Sequence, residues 1–197
     1  VNPDVLIPRP ETEILVETIL HHLKNEGDKI ILDIGCGSGN ISIALAVNNP
    51  SLKIYSTDSS EGALNVSKRN AEKNSVLDKI EFIHHNILTE DLNQFPELDV
   101  IVSNPPYVSS DEFSSLQKEI RDFEPRKAVT DDADGYTFFK VISAKSFSKL
   151  REGGKLFFEM AQGQSREVVE IMITHNYKNI EIIKDYQKID RISIGER

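Results

Sequence analysis

The chain has 197 residues, 39% apolar and 28% charged, which is ordinary globular composition and enough for one domain with a real core. Its longest apolar runs reach four or five residues and no charged-apolar-small leader is visible, so neither a membrane span nor a secretion signal is expected and the protein is read as cytoplasmic. The single cysteine, Cys36, excludes an internal disulfide and a Cys-rich zinc site, and the net charge of −9 argues against a large phosphate-binding surface while leaving room for a local basic patch.

Residues 1–10 contain three prolines and are predicted to be extended. A helix is predicted over 10–26, acidic in its first turn, with Ile14, Leu15, Ile19 and Leu23 at helical spacing. Arg9 and Glu11 read either as a clamp on a ligand or as a solvated helix entrance. Lys29-Ile30-Ile31-Leu32 opens a strand that runs through Ile34, and a helix over 40–48 follows the intervening glycine turn. Further strands are predicted at 52–57, 80–84, 99–103 and 155–160, with helices over 61–74, 135–150 and 162–176. Gly153-Gly154 marks the turn into the strand at 155. The segment 108–134 is long for a connection and reads as a partly helical flap on the substrate side. Runs at 179–184 and 189–194 close the chain as an antiparallel hairpin. The fold class is therefore α/β, Rossmann-like, with a mostly parallel sheet covered by helices on both faces.

Two stretches carry chemistry. In Gly35-Cys36-Gly37-Ser38-Gly39, three glycines in five residues allow close backbone approach to a ligand, and the following helix offers unpaired N–H groups. Cys36 reads as a small residue filling this turn, with a reactive thiol as the alternative. Asp58 lies nineteen residues beyond Gly39, the interval at which dinucleotide-binding folds place a carboxylate on ribose hydroxyls. The competing reading makes it a helix cap. After the strand at 80–84, Asn86 is expected to hydrogen-bond a base and Ile87 to cover its face. The pairs His21-His22 and His84-His85 are not read as metal ligands, because neighbours on a strand point to opposite faces.

The spacing Gly35-x-Gly37-x-Gly39 lacks the G-x-G-x-x-G pattern, and no Gly-Lys-Ser/Thr follows to hold a triphosphate. A ligand with ribose and base but no pyrophosphate fits, and S-adenosylmethionine is that ligand. The second stretch, Asn104-Pro105-Pro106-Tyr107, ends the strand at 99–103 and speaks to the methyl acceptor. A planar nitrogen bearing two hydrogens is a poor nucleophile and needs positioning. The Asn104 side-chain oxygen and the Pro105 carbonyl can accept those hydrogens, the prolines stiffen the turn, and Tyr107 can stack on the planar group. Asn104, Pro105, Pro106 and Tyr107 are the candidate catalytic and substrate-binding residues. Gly35, Cys36, Gly37, Ser38, Gly39, Asp58, Asn86, Ile87 and Asn104 are the candidate cofactor contacts.

These motifs, together with Ile7-Pro8-Arg9-Pro10-Glu11-Thr12-Glu13, Glu124-Pro125-Arg126, Asp134-Gly135, Gly153-Gly154 and Glu159, resemble the class I S-adenosylmethionine-dependent methyltransferases. Within them they resemble the release-factor glutamine methyltransferases, the HemK/PrmC group, over nearly the whole chain. The resemblance implies a seven-stranded sheet in the order 3-2-1-4-5-7-6. It also implies methylation of the glutamine nitrogen in the Gly-Gly-Gln loop of peptide-chain release factors, with Asn104 to Tyr107 gripping that glutamine. Members carry Asp where this chain has Asn86, and they carry a helical amino-terminal domain not found in residues 1–197, which are read as one catalytic domain acting as a monomer. Two other readings stay open: adenine N6 methylation of RNA or DNA, and a non-catalytic S-adenosylmethionine-binding module.

Overall fold

The β-branched and aromatic runs form seven strands in one sheet: β1 (Ile30–Ile34), β2 (Lys53–Asp58), β3 (Ile80–His84), β4 (Leu98–Ser103), β5 (Leu150–Glu159), β6 (Lys178–Lys184) and β7 (Asp190–Glu196). The helices between them are α1 (Glu11–His22), α2 (Asn40–Asn48), α3 (Glu61–Lys73), α4 (Ser110–Phe113), α5 (Lys118–Phe123), α6 (Arg126–Val129), α7 (Thr137–Phe147) and α8 (Ser165–Thr174). The structure is a computed structural model and describes residues 1–24 and 27–197. The strand order is β3-β2-β1-β4-β5-β7-β6, as the resemblance implied. All neighbours run parallel except β7, which is antiparallel to both β5 and β6.

Alternation along the central strands divides the apolar side chains between two cores. Ile31, Val100, Val102 and Phe157 meet Leu15 and Ile19 of α1 and Leu45 of α2 on one face. Leu32, Ile34, Ile101, Leu156 and Phe158 meet Phe139 and Ile142 of α7 and Val168 and Met172 of α8 on the other. Each such side chain contributes about 1.5–3 kcal/mol on burial, so the central strands are pinned in register from both sides. Ile34 stands opposite Ser103 in the β1–β4 pair, and Ile34 opposite Thr57 in the β1–β2 pair. The strand order reverses between β1 and β4. The glycine turn, Asp58 and Asn104 thus emerge together at the carboxyl edge where such sheets bind ligands.

Several boundaries differ from the sequence reading. The first helix ends at His22, where Leu23 and Lys24 close a turn onto Ile19 and His21, and the predicted end at 26 lies outside the described residues. The helix expected from 135 starts at Thr137, because the Asp131 and Asp134 carboxylates take the backbone N–H groups of Gly135, Tyr136 and Thr137 first. The fifth strand begins at Leu150 instead of 155: Leu98 pairs with Leu150 but Val100 with Lys155, and Gly153, at φ +75°, lets the surplus residues fold out as a bulge within the strand. The flap holds three short helices, α4 to α6, with a single bridge between Val108 and Thr130. Among the described residues no helix is long and apolar enough to cross a membrane.

Candidate active site

The glycine turn is held from two sides. The Gly35 and Cys36 amides donate to Thr57 O at 2.8 and 2.9 Å, which ties the turn to the end of β2. From α3, Ser67 Oγ donates to Gly37 O at 2.8 Å and Asn70 Nδ2 to Ser38 O at 2.9 Å. Beneath it Asp33 is wholly buried and accepts from Ser42 Oγ at 2.6 Å, and burial pushes its carboxyl up to about 7. A Cβ built on Gly35 or Gly37 would meet nothing within 4 Å, so the backbone there faces open space and forms a cradle. Cys36 is buried with Sγ 3.5 Å from Ser67 Oγ, and burial, then Asp33 and Asp58, push its thiol up to about 12. It stays protonated, which favours the filling role over the nucleophilic one.

Asp58 ends β2 facing the same space. Its Oδ2 accepts from Gly37 N and its Oδ1 from Ser60 N, both at 2.9 Å. The residue that caps α3 is Ser60, whose hydroxyl accepts from Ala63 N at 3.2 Å, so Asp58 is not the cap. Burial raises the Asp58 carboxyl above its ordinary range. Asp58 also lines the cavity, where a carboxylate is the acceptor that neighbouring hydroxyls fit.

Asn86 and Ile87 follow β3 along the same wall. The Asn86 Oδ1 is engaged by Leu88 N at 3.0 Å, which leaves the Nδ2 as its free end. Ile87 is 5% exposed, its carbonyl held by Lys145 Nζ at 2.6 Å. His85 lies beneath, edge-on to Phe95 and hydrogen-bonded to Gln94, and burial lowers its pKa.

Ser103 Oγ donates to Ile34 O at 2.7 Å and so fixes the end of β4 against β1. Asn104, Pro105 and Pro106 then line a cavity of about 580 Å³ together with residues 35–38, Asp58, residues 85–88 and, from outside, Arg9, Thr12 and the flap residues Pro125 to Ala128, whereas Gly39 packs against Ile43 and Ser67. Tyr107 is not among the lining residues: its ring packs against the second core, its carbonyl accepts from Gln164 Nε2 at 3.0 Å, and burial followed by the Glu159 charge raises its phenol pKa. A Cβ on Gly135 would sit 2.6 Å from that carbonyl, so only glycine permits this approach of α7 to the proline turn.

Thr12, Glu159 and Glu124, which composition and spacing did not single out, complete the site together with Arg9. Thr12 Oγ1 donates to Glu159 Oε2 at 2.7 Å and lies 3.4 Å from Asn104 Nδ2. Burial pushes Glu159 up to about 7, against the hydrogen bonds from Thr12 and Asn104. Arg9 Nη2 pairs with Glu124 Oε1 at 2.6 Å, joining the amino-terminal strap to the flap across the cavity mouth, so Arg9 is more than a solvated helix entrance. The only sign of these partners in the sequence was that their segments carry the family resemblance.

Residues 11–121 match the family model described as "Methyltransferase small domain". A release factor glutamine methyltransferase from Flavobacterium psychrophilum is 44% identical over 197 residues, an overlap of 98% of this chain and 68% of the relative. One from Fusobacterium nucleatum is 40% identical over 196 residues, 98% of this chain and 54% of the relative, so the chain spans only about half of that protein. Among solved structures, the protein-(glutamine-N5) methyltransferase (release factor-specific) from Alicyclobacillus acidocaldarius superposes with a TM-score of 0.59 at 26% identity, covering 100% of this chain and 98% of that one. On fold, glycine cradle and sequence identity together, the chain belongs to the release factor glutamine methyltransferase family.

Proposed function

We propose that this chain transfers a methyl group from S-adenosylmethionine to the side-chain amide nitrogen, N5, of the glutamine in the Gly-Gly-Gln motif of peptide-chain release factors, in the cytoplasm. The observation that carries the reading is the position of Asn104: it opens onto the cavity beside the glycine cradle, and its carboxamide is tied from behind by Thr12, which Glu159 anchors in turn. The cradle fits the cofactor. Gly35 and Gly37 offer bare backbone to its methionine end, Asp58 offers a carboxylate to its ribose, and Asn86 and Ile87 flank the base. Bound there, S-adenosylmethionine supplies an electrophilic methyl group on a sulfonium.

The chain's own residues supply orientation. A primary amide nitrogen has its lone pair delocalised, so its two hydrogens must be held while the lone pair is turned toward the methyl carbon. Asn104 Oδ1 and the Pro105 carbonyl accept them. Pro105 and Pro106 limit the backbone freedom of both acceptors, and the Gln164 amide clamps the turn from below. As the nitrogen becomes positive, the same two oxygens interact with it more strongly, which is stabilisation specific to the transition state, and the surplus N–H proton is lost to solvent once the methyl group has moved. Tyr107 supports the turn from the core side. The Arg9–Glu124 pair holds strap and flap together over the mouth and limits access of water.

The test is transfer of a labelled methyl group from S-adenosylmethionine to unmodified release factor, run beside a total-RNA control. Label in the release factor alone is expected. Label in RNA alone would transfer the assignment to adenine methylation.

A further inference from the structure

A carboxamide has two ends of opposite hydrogen-bonding sense, and Asn104 can accept from an acceptor nitrogen only through its oxygen. The choice between the two ends is made behind the residue, by groups from three elements. Glu159, at the end of β5, is 2% exposed and accepts the Thr12 hydroxyl at 2.7 Å. Thr12, itself 2% exposed in the first turn of α1, has then given away its only proton, so its oxygen can only accept from Asn104. The Asn104 side chain also acts on the Glu159 carboxylate, lowering its pKa against burial, which only the NH₂ end can do. The Thr12 contact and this attraction both demand the NH₂ end of Asn104, which leaves Oδ1 for the cavity.

We propose that Glu159 and Thr12 are positioning residues that set the polarity of the Asn104 carboxamide, holding its oxygen toward the acceptor nitrogen. The catalytic consequence rests on the methyl-transfer reading above; the orientation itself does not. Because a two-atom hydrogen-bond chain transmits the polarity, an uncharged isostere is sufficient to undo it. Glu159→Gln keeps shape and volume but can present its own NH₂ to Thr12, which then donates to Asn104 and draws the amide oxygen inward. The device is also sensitive to pH. The charged groups facing Glu159 are Glu11 from α1 and Arg191 from β7, the latter already bound to Asp185 at 2.9 Å, with the Tyr107 phenol close by. Burial outweighs Arg191 and brings the Glu159 carboxyl to about 7. Protonated, Glu159 can donate, and the constraint on Asn104 is released.

The experiment uses the full chain with Glu159→Gln, Thr12→Val and Thr12→Ser. Without acceptor, hydrogen exchange of the Asn104 side-chain amide is followed by NMR. With S-adenosylmethionine and release factor, kcat and KM are measured from pH 6 to 9. Slow exchange is expected in the wild type and in Thr12→Ser, with fast exchange in Glu159→Gln and Thr12→Val. The same two fast-exchanging variants should lose about 100-fold in kcat while cofactor affinity stays within about twofold, and Thr12→Ser should recover most of the rate. The wild-type kcat should rise through about pH 7, and this rise should be missing from Glu159→Gln. Unchanged exchange in folded Glu159→Gln, or a wild-type kcat with the pH rise retained, overturns the positioning role. If the wild type methylates no release factor, the functional reading fails, and the exchange comparison alone still decides the orientation.

Discussion

Asp58 gives the sharpest quantitative expectation. Its two oxygens each already accept one backbone N–H at 2.9 Å, from Gly37 and from Ser60. A carboxylate offers about four acceptor directions, and with the Ser59 N–H also acting on it, one or two remain for the ribose hydroxyls. Hydrogen bonds to a charged group contribute about 1.5 kcal/mol each at the low end, so Asp58→Ala should cost about 1.5 to 3 kcal/mol of cofactor affinity, roughly 10- to 150-fold in Kd. Loss of the Gly37 anchor loosens the cradle and pushes in the same direction. Because burial raises the Asp58 carboxyl and ribose donors favour its ionised form, affinity should also weaken as pH falls through that raised pKa, and Asp58→Ala should lack this dependence. Calorimetric titration with S-adenosylmethionine and with its demethylated product, at several pH values, reads both effects. A Kd within twofold of wild type in a folded Asp58→Ala protein would refute the ribose assignment and leave Asp58 as a clasp for the glycine turn.

Asn104→Ala should lower turnover by at least 100-fold while cofactor affinity changes little, as the proposed acceptor-holding role of Asn104 requires; parallel titration and rate measurements check it, and equal loss of both would refute the role. Asp33 links pH to stability. Its folded-state pKa of about 7 lies above the ordinary 3.8, so the folded protein binds the proton more tightly. The stabilisation is therefore full below about pH 4 and is lost as pH rises through about 7, by ~4 kcal/mol for a shift of this size. Urea unfolding at pH 4.5 and 7.5 should show wild type losing stability between them and Asp33→Asn losing clearly less, with Glu159 and Asp58 contributing to the remainder. Equal loss in both proteins would contradict the burial argument.

What could be read from the sequence was local. The glycine turn, Asp58 and Asn104 each sit at the end of an apolar run, so a strand followed by a turn already implies the sheet's carboxyl edge. The groups behind Asn104 are not local: Thr12 is 92 residues from it and 147 from Glu159, and no periodicity reports a contact of that range. The flap helices run four to six residues, too short for a 3.6-residue pattern to stand out. Arg151 to Gly154 read as a turn because a bulge inside a strand carries the same glycine signal. Asp58 read either as a ribose ligand or as a cap, and only geometry shows that Ser60 holds α3 while Asp58 faces the cavity. Tyr107 continues the proline motif in sequence, yet its ring turns to the core.

The measurement that bears most directly on the central claim is tandem mass spectrometry of the release-factor peptide containing Gly-Gly-Gln, after incubation with this chain and S-adenosylmethionine. One added methyl group on the glutamine side chain is expected, missing when Asn104→Ala replaces the wild type. A methyl group on any other residue of that peptide, or an unmodified peptide beside methylated RNA, would contradict it.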